Sequence, residues 1–255
     1  MNDLPEISIL TPVFNRKKFL DLMICNVMNF QYDKDKITWI ISDSHGCDGT
    51  TKGIPLLTKE EVVMVKRIIS PITLNYTFVD QHMTIGQKRN YLCKQATTKY
   101  LINMDSDDIY LPPYLRYSVG LLQKNKKECT GSPQMIFMYT DHNYQLSAIQ
   151  CDAMRQIHEA SMCFTKKHFK RMGGFCATGV GEGAKMVDHC NEKYFIKSEI
   201  VNCMICLCHS ENSVPKDKFL DRDCDINVHN IEIYMKFVEQ IFGKKKEEEE
   251  NKVLS

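Results

Sequence analysis

The chain has 255 residues, of which 33 are Lys or Arg, 32 are Asp or Glu, and 43% are hydrophobic. This length suits one large domain or two small ones with a sizeable core. The net charge of +1 argues against a dedicated nucleic-acid-binding protein, and the apolar content argues against a disordered chain.

Strand-like and helix-like segments alternate along the first 140 residues. Short apolar or β-branched runs predict strands, and longer segments with apolar residues every three or four positions predict helices. The predicted strands are 7–11, 37–43, 74–79, 100–104 and 135–139, and the predicted helices are 17–30, 58–69, 85–96 and 111–124. Thr58 and Glu61 have the spacing of a helix capping box. This order predicts an α/β fold with a mostly parallel central sheet and helices on both faces.

The pattern is less regular after about residue 150. Segments 161–164 and 200–208 have the composition of strands, and residues 230–242 have the apolar spacing of an amphipathic closing helix. Residues 244–255 begin with the low-complexity run KKKEEEE, which is expected to be a solvated helix end or disordered. We therefore predict a single domain over residues 1–243, followed by a charged tail.

The N-terminal segment resembles neither a signal peptide nor a membrane anchor. MNDLPEISILTP lacks a basic stretch followed by a long apolar core, and no run approaches the roughly 18 apolar residues of a membrane-spanning helix. These features predict a soluble cytoplasmic protein without a transmembrane segment, in which the twelve cysteines are reduced thiols.

Three of these cysteines stand close to a histidine. Cys203, Cys206, Cys208 and His209 have the residue types of a zinc site. The segment VNCMICLCH alternates like a strand, however, so Cys203 and Cys206 would face opposite sides of a sheet. We therefore predict that the three cysteines are buried thiols, with a metal site as the alternative.

Three carboxylates within four positions follow the predicted strand at residues 100–104. Asp105, Asp107 and Asp108 repel one another at the end of a buried strand, and a divalent cation would relieve this repulsion. Carboxylate oxygens suit Mg²⁺ or Mn²⁺, and open α/β sheets bind ligands at the carboxyl ends of their strands. A polar turn with a helix-capping aspartate is the simpler alternative, although one carboxylate would suffice for it.

The glycines of the chain do not form a recognised phosphate-binding loop. No GxxxxGK[ST] sequence is present, and GVGEG at residues 179–183 departs from the GxGxxG pattern and does not lie in a first βα turn. No GxSxG elbow is present either. These observations argue against a P-loop enzyme, a nicotinamide or flavin enzyme and an α/β-hydrolase.

Three segments, taken in order, resemble family 2 glycosyltransferases, which have the GT-A fold. ISILTPVFNR resembles the first strand and nucleotide-contacting turn of that family, and WIISDSHGCDGT resembles its second strand. IGQKRNYLCKQATTKYLINMDSDD resembles its block that ends in the metal-binding DXD motif. Ser44 stands where the family commonly has a second aspartate after Asp43. The ordered set carries the resemblance, which implies a GT-A fold.

The resemblance implies that residues 1–115 form the nucleotide-sugar-binding half. Asp43 would contact the nucleotide base, Asp105 would contact the sugar or ribose, and Asp107 would ligate a metal that bridges the two phosphates. The other donor-binding positions that the motifs imply are Thr11, Pro12, Arg16, Arg89 and Ser106. Arg89 and the metal would stabilise the charge on the leaving nucleoside diphosphate.

Residues 116–243 would then form the acceptor half. GGF at residues 173–175 matches the family, and Glu182 matches the first residue of its acidic ED motif, whose aspartate is replaced by Gly183. An inverting transfer needs a carboxylate that removes the proton of the acceptor hydroxyl. Glu182 and Asp188 are both candidates for this catalytic base.

His209 is the candidate for a second metal ligand. It ends a strand-like segment, and several GT-A enzymes have a metal ligand late in the chain, beside the DXD motif. Imidazole is compatible with Mn²⁺, although a lone histidine is more often structural. The resemblance thus implies Mn²⁺ or Mg²⁺ as cofactor, bound by Asp107 and His209.

These features together predict a metal-dependent, inverting glycosyltransferase of the hexosyltransferase type. It would move a sugar from a nucleotide-diphosphate sugar, expected to be UDP-linked, to a hydroxyl of a glycan, lipid-linked or protein acceptor. One alternative is a sugar-1-phosphate nucleotidyltransferase, although NRKKF lacks the glycines of the loop that such an enzyme normally has. The other is a catalytically inactive sugar- or protein-binding module on the same fold, which the departures at Ser44 and Gly183 leave open.

Overall fold

A parallel sheet forms the first part of the chain. The structure is a computed structural model, and it describes residues 4–151, 156–187, 193–212, 214–226, 228–229 and 231–243. Its first elements are β1 (Ile7–Val13), α1 (Leu20–Asn29), β2 (Ile37–His45), α2 (Lys59–Ile69), β3 (Thr73–His82), α3 (Ile85–Gln95) and β4 (Tyr100–Asn103). The four strands pair in parallel in the order β3-β2-β1-β4.

Apolar side chains cover both faces of this sheet. Ile7 and Ile9 of β1 belong to one buried cluster, which includes residues of α1 and α2, whereas Leu10 belongs to a second cluster, which includes residues of α3. Successive strand residues point to opposite faces, so a continuous apolar run places side chains in both clusters. The helices therefore lie on both faces of the sheet, and this part of the predicted fold is confirmed.

The rest of the described chain extends this sheet and builds a smaller one. The later elements are β5 (Ile109–Tyr110), α4 (Tyr114–Asn125), β6 (Cys129–Gly131), β7 (Gln134–Tyr139), β8 (Gln145–Gln150), β9 (Cys163–Thr165), α5 (Lys166–Met172), α6 (Ala184–Val187), β10 (Phe195–Lys197), β11 (Met204–Cys208) and α7 (Glu232–Phe242). The larger sheet has the order β10-β6-β9-β4-β1-β2-β3, and the smaller has the order β5-β11-β7-β8. Strand β9 is antiparallel to both β4 and β6.

The end of β1 and the start of α4 differ from the predicted boundaries, in each case next to a proline. Strand β1 continues through Pro12 to Val13, because β4 pairs with it only as far as Leu10 and the missing N–H of Pro12 removes no hydrogen bond to β4. Helix α4 begins at Tyr114, after a Pro-Pro pair. The predicted capping box of α2 is confirmed, with Thr58 and Glu61 each accepting a hydrogen bond from the other's backbone N–H.

The late cysteines are buried thiols, as predicted. Cys203 precedes β11, and Cys206 and Cys208 lie within it. Cys203 Sγ lies 3.3 Å from the carbonyl oxygen of Glu199. Burial raises the pKa of the Cys203 thiol to about 12, so this thiol stays protonated near neutral pH.

Two further sequence predictions concern the charged C-terminal tail and membrane-spanning helices. The predicted tail, residues 244–255, lies outside the described residues. None of the helices that the structure describes has both the length and the apolar character needed to cross a lipid bilayer.

Candidate active site

A cleft of about 450 Å³ lies at the carboxyl ends of β1 and β4. The end of β1, residues directly after it, residues on α3 and the acidic turn at Asp105–Asp108 line part of it. The remaining lining comes from residues 158–160, 179–182 and 211–212, together with single positions that include Val214 and Lys216. This edge of a parallel sheet is where α/β proteins bind ligands, so the fold brings the acidic turn to the expected place.

Buried neighbours hold the acidic turn in position. The Asp105 N–H donates a hydrogen bond of 2.7 Å to the Tyr110 hydroxyl. Asn26 Nδ2 donates one of 2.9 Å to the backbone oxygen of Asp108. The Asp108 carboxylate accepts a hydrogen bond of 2.9 Å from the Leu207 N–H, and burial raises its pKa well above the usual range. Asp108 therefore fastens the turn to β11.

Asp107 lies between two basic side chains. Its Oδ2 is 3.3 Å from His209 Nε2 and 3.2 Å from Arg16 Nε. Burial would raise the pKa of Asp107, but the hydrogen bond from His209 and the charge of Arg16 bring it below its usual range. The structure thus brings together the two predicted metal ligands and one predicted donor-binding residue.

The His209 ring is fixed on several sides. It packs against Phe19 and Phe242, with ring centroids 5.2 Å and 5.4 Å away. Its Nδ1 accepts a hydrogen bond of 3.2 Å from the Glu211 N–H. The hydrogen bond at Nδ1 is compatible with a ring proton on Nε2, directed at Asp107, although Asn212 Nδ2 also lies 3.1 Å from Nε2.

Arg16 also joins the loop after β1 to the loop after β11. Its Nη2 donates a hydrogen bond of 2.9 Å to the backbone oxygen of Glu211, and its Nη1 lies 3.3 Å from Glu211 Oε2. Lys18 Nζ lies 2.5 Å from Glu211 Oε1. Glu211, which the sequence analysis did not identify, balances the positive charge of this corner of the cleft.

Arg89 bridges two carboxylates at the bottom of the cleft. It is 1% exposed, its Nε donates a hydrogen bond of 2.8 Å to Glu182 Oε1, and its Nη2 lies 2.8 Å from Asp105 Oδ1. Burial alone would lower the pKa of Arg89, but the charges of Asp105 and Glu182 raise it. Arg89 Nη1 is buried and has no hydrogen-bond partner among the described residues. This fixed, charged donor suits an anionic ligand.

One face of α3 attaches the second half of the chain to the cleft. The Gly86 N–H donates a hydrogen bond of 3.2 Å to the Thr178 oxygen. Asn90 exchanges two hydrogen bonds of 2.9 Å and 2.8 Å with the backbone of Phe175. A Cβ at position 86 would lie 1.7 Å from the backbone oxygen of Cys176, so only glycine allows this close approach.

Two predicted donor-binding residues are fully buried instead of lining the cleft. Thr11 Oγ1 accepts a hydrogen bond of 2.9 Å from Trp39 Nε1. The Asp43 carboxylate accepts hydrogen bonds of 2.7 Å from the Leu56 N–H and 3.2 Å from the Tyr76 hydroxyl. Burial raises the pKa of Asp43. In this conformation Asp43 holds the segment after β2 against β3.

The remaining predicted residues fall into two groups. Pro12, Ser106 and Glu182 line the cleft. Asp188, the second candidate for the catalytic base, lies outside the described residues.

Lys88 and Glu159 also line the cleft, although no sequence motif indicates them. Lys88 Nζ donates a hydrogen bond of 2.5 Å to the Val13 oxygen, and burial lowers its pKa to about 8. Glu159 opens a 3₁₀ turn at Glu159–Ser161, just before β9. Because β9 is antiparallel to β4, a residue that precedes β9 lies at the carboxyl end of β4. An acidic residue directly before a predicted strand was the available signal, but the direction of that strand could not be predicted.

The cleft combines cationic with acidic side chains. Arg16, Lys88 and Arg89 are side chains of the type that binds phosphate groups, and Glu159 and Glu182 are carboxylates, the type of group that can accept a proton. Within the described ranges, no group of three or more His, Cys, Asp or Glu side chains is placed to hold a metal ion. Asp107 and His209 are a pair, to which phosphate oxygens and water would have to add ligands.

Comparison with known proteins places this geometry among related folds. The model of the family described as Glycosyl transferase family 2 matches residues 8–184. A search of curated protein sequences returns no match.

Solved structures share the fold at low sequence identity. The mannosyltransferase PcManGT from Pyrobaculum calidifontis, in complex with GDP-Man and Mn²⁺, is 15% identical with a TM-score of 0.59, over 86% of this chain and 59% of that chain. S. aureus TarS 1–349 is 11% identical with a TM-score of 0.58, over 79% of this chain and 60% of that chain. Its complex with UDP-GlcNAc is 10% identical with a TM-score of 0.52, over 76% and 59%. This chain therefore spans about 60% of the length of these structures.

Proposed function

The chain belongs to glycosyl transferase family 2 and has the GT-A fold, and from this premise we propose that it is a metal-dependent, inverting glycosyltransferase of the hexosyltransferase type. It moves a sugar from a nucleotide-diphosphate sugar to an acceptor hydroxyl. The observation that carries this proposal is the position of buried Arg89, ion-paired with Asp105 and Glu182 in the cleft that also contains Asp107.

The positive charges of the cleft support a diphosphate as the bound group. Arg89 Nη1, which has no hydrogen-bond partner in the described part of the chain, is a buried donor available to a phosphate oxygen. Arg16 and Lys88 add two further cationic side chains to the lining. As the bond to the sugar breaks, negative charge develops on the leaving nucleoside diphosphate, and preorganised cations stabilise this charge.

Asp107 and His209 are the residues that would hold Mn²⁺ or Mg²⁺. Their facing atoms are 3.3 Å apart, which is compatible with neighbouring ligands of one ion whose bonds are roughly 2.1 Å long. When bound, such an ion acts as a Lewis acid that neutralises charge on the diphosphate. Binding by His209 Nε2 would move the ring proton to Nδ1, so the contact with the Glu211 N–H would have to change.

The two halves of the domain take the two substrates in this proposal. Residues 1–115 bind the donor, which we expect to be UDP-linked, and residues 116–243 bind the glycan, lipid-linked or protein acceptor. Asp43 and Thr11 act on the donor through the segments that they hold, since both are buried. A carboxylate on the acceptor side accepts the proton of the attacking hydroxyl, and Glu182 and Asp188 are the candidates from the sequence.

The test is release of nucleoside diphosphate from a panel of donors. The panel contains UDP-GlcNAc, other UDP-sugars and GDP-mannose, each with Mn²⁺, with Mg²⁺ and with excess EDTA. We expect release that depends on the metal and is fastest with a UDP-sugar. Fastest release from GDP-mannose would contradict the UDP donor alone, and release in EDTA would contradict the metal requirement.

Binding measurements separate an enzyme from an inactive module. Titration calorimetry with UDP and Mn²⁺ reports nucleotide binding without turnover. Tight binding together with no release from any donor would favour the sugar- or protein-binding module, for which Gly183 in the acidic motif is the motivating observation. Formation of a nucleotide-sugar from a sugar-1-phosphate and UTP would favour the nucleotidyltransferase.

A further inference from the structure

We propose that Glu159 is the catalytic base of this glycosyltransferase and that Gly183 provides the space for its side chain. The inference rests on the proposed function, because it assigns the proton-accepting step of that reaction. This assignment differs from the two carboxylates suggested by the sequence, Glu182 and Asp188, of which the structure describes only Glu182. Four features of the cleft support the assignment.

The backbone at Glu159 is held rigidly at the edge of the cleft. Asn103 Nδ2, at the end of β4, donates a hydrogen bond of 2.7 Å to the Glu159 oxygen. The next carbonyl, of Ala160, accepts hydrogen bonds of 3.2 Å and 3.3 Å from the hydroxyls of Tyr110 and Tyr114. These three donors are buried, so the turn is preorganised, as a catalytic side chain requires.

The absence of a side chain at position 183 provides the space for the Glu159 side chain. A Cβ built on Gly183 would lie 2.1 Å from Glu159 Cγ and 3.1 Å from Oε1. The Gly183 N–H instead donates a hydrogen bond of 3.3 Å to Glu159 Oε1. A carboxylate on residue 183 and the observed position of Glu159 therefore exclude each other, and Glu159 supplies the carboxylate at this place.

Glu182 is less suited to accept a proton, because it is already engaged. Its Oε1 accepts the hydrogen bond from Arg89 Nε at 2.8 Å, and its side chain is 6% exposed. A carboxylate ion-paired with a buried guanidinium would leave that cation less compensated if it took up a proton. Glu182 thus acts as the partner that holds Arg89 towards the diphosphate.

The electrostatic surroundings of Glu159 favour a base. Burial, followed by the negative charge of Glu182, raises the pKa of Glu159 above the usual range of a glutamate. A carboxylate with a raised pKa holds a proton more strongly, so it is a better general base while it remains ionised. His158 next to it is half-buried, and desolvation lowers its pKa to about 3, so this imidazole is neutral near pH 7 and adds no competing charge.

The proposed step is a single displacement. The oxygen of the acceptor hydroxyl forms a bond to the anomeric carbon, while the bond from this carbon to the β-phosphate oxygen breaks. The electron pair of the broken bond leaves with the nucleoside diphosphate, near Arg89. The proton of the hydroxyl passes to the Glu159 carboxylate, so atoms and charges balance. Water can replace the acceptor, which gives slow hydrolysis of the donor.

The first experiment compares Glu159→Gln with Glu128→Gln. Glu128 is a partly buried glutamate that pairs with Lys167 and Arg171 away from the cleft, so its variant is the matched control. With the donor that wild type hydrolyses fastest, we expect E159Q to lower kcat at least about 100-fold, as for loss of a general base. The KM for the donor and the calorimetric Kd for UDP should stay within about twofold.

The second experiment replaces the lost carboxylate of Glu159 by one at position 183. Glu159→Ala should be as inactive as E159Q, and the double variant E159A/G183D, in which the new aspartate no longer meets Glu159, should recover at least about tenfold in kcat over E159A. Thermal unfolding checks that each variant is folded. A structural role of Glu159 predicts no such recovery, so equal rates for E159A and E159A/G183D would overturn the assignment.

The outcomes distinguish the inference from the proposed function. An active wild type together with a fully active E159Q overturns only the assignment of Glu159. A wild type that releases no diphosphate from any donor contradicts the proposed function, and the assignment falls with it. Loss of activity in E159Q with unchanged UDP binding and recovery in E159A/G183D supports both.

Discussion

The two sides of the cleft are built in different ways. The donor side comes from the parallel strands β1, β2 and β4 and from helix α3, which repeat one βα arrangement. The proposed acceptor side comes from the Glu159–Ser161 turn and residues 174–183, which are held by side-chain and backbone hydrogen bonds from Asn103, Asn90 and Gly86 and not by strand pairing. A repeated arrangement fixes which residues reach the sheet edge. Irregular segments have no such repeat, so their carboxylate can come from more than one position.

The ion pairs show the same difference. On the donor side, Asp107 contacts both His209 and Arg16, and Arg89 compensates Asp105, so carboxylates and cations alternate. On the proposed acceptor side, Glu182 lies close enough to Glu159 for its negative charge to raise, after burial, the pKa of Glu159. The donor side is therefore suited to hold an anion with a metal, and the acceptor side is suited to take up a proton.

The largest expected effect is on the donor side. Asp107→Ala removes the carboxylate that we assign to the metal, and diphosphate release should fall about 1000-fold, or about 4 kcal/mol of transition-state stabilisation. Steady-state rates over a range of Mn²⁺ concentrations measure this loss. Asp21→Ala, on the exposed surface of α1, is the control and should be unchanged. An active D107A would contradict the metal assignment.

The junction between the two sides should be the next most sensitive place. Gly86→Ala would put a Cβ 1.7 Å from the Cys176 oxygen, so we expect a loss of about 3 kcal/mol in the free energy of unfolding. Gly120→Ala on α4 is the matched control, because a Cβ there has no neighbour within 4 Å among the described residues. The control should stabilise by about 0.5–1 kcal/mol through helix propensity. Urea denaturation measures both, and equal effects would show that the junction is not tightly packed.

Lys88 predicts a pH dependence of stability. Its folded-state pKa is about 8, below the ordinary 10.5, so between these values the unfolded state binds more protons and stability rises with pH. The gain is at most about 3 kcal/mol. Lys88→Met lacks this contribution. The free energy of unfolding of wild type minus that of K88M should therefore increase from pH 8 to pH 10.5. A pH-independent difference would contradict the burial of a charged Lys88.

The smallest effect concerns Asp43. Tyr76→Phe removes one hydrogen bond of 3.2 Å to a buried carboxylate, which should cost about 1–2 kcal/mol in unfolding free energy. Because the carboxylate is buried away from the cleft lining, the Kd for UDP should change less than twofold in Y76F. A large loss of UDP affinity with little loss of stability would instead support direct contact between Asp43 and the base.

How much the sequence predicts also differs between the two sides. The strands and helices of the donor side are long and periodic, and Pro12, Arg16, Arg89, Asp105, Ser106 and Asp107 were all predicted there and all line the cleft. The burial of Thr11 and Asp43 was not predictable, because their partners Trp39 and Tyr76 are distant in sequence and no local pattern indicates the contacts.

The acceptor side gave weaker signals for a physical reason. Strands β6, β9 and β10 have three residues each, which is too short for alternation to be recognised. The direction of β9 depends on its pairing with β4 and β6, and this direction alone brings Glu159 to the cleft. Glu182 was predicted because it matches the first residue of the ED motif. The contact between Gly183 and Glu159 is between residues distant in sequence, so only the folded structure reveals it.

The cluster of the Phe19, His209 and Phe242 rings affects how substitutions in this protein should be interpreted. Phe242 belongs to the last described helix and Phe19 precedes the first one, and their rings are 5.9 Å apart. The orientation of the imidazole that contacts Asp107 therefore depends on a contact between the turn before α1 and helix α7, and neither phenylalanine is among the described residues that line the cleft. Substitutions at Phe242 would register in a functional screen as active-site defects. A map of tolerated substitutions should thus show sensitive positions both in the cleft and in helix α7.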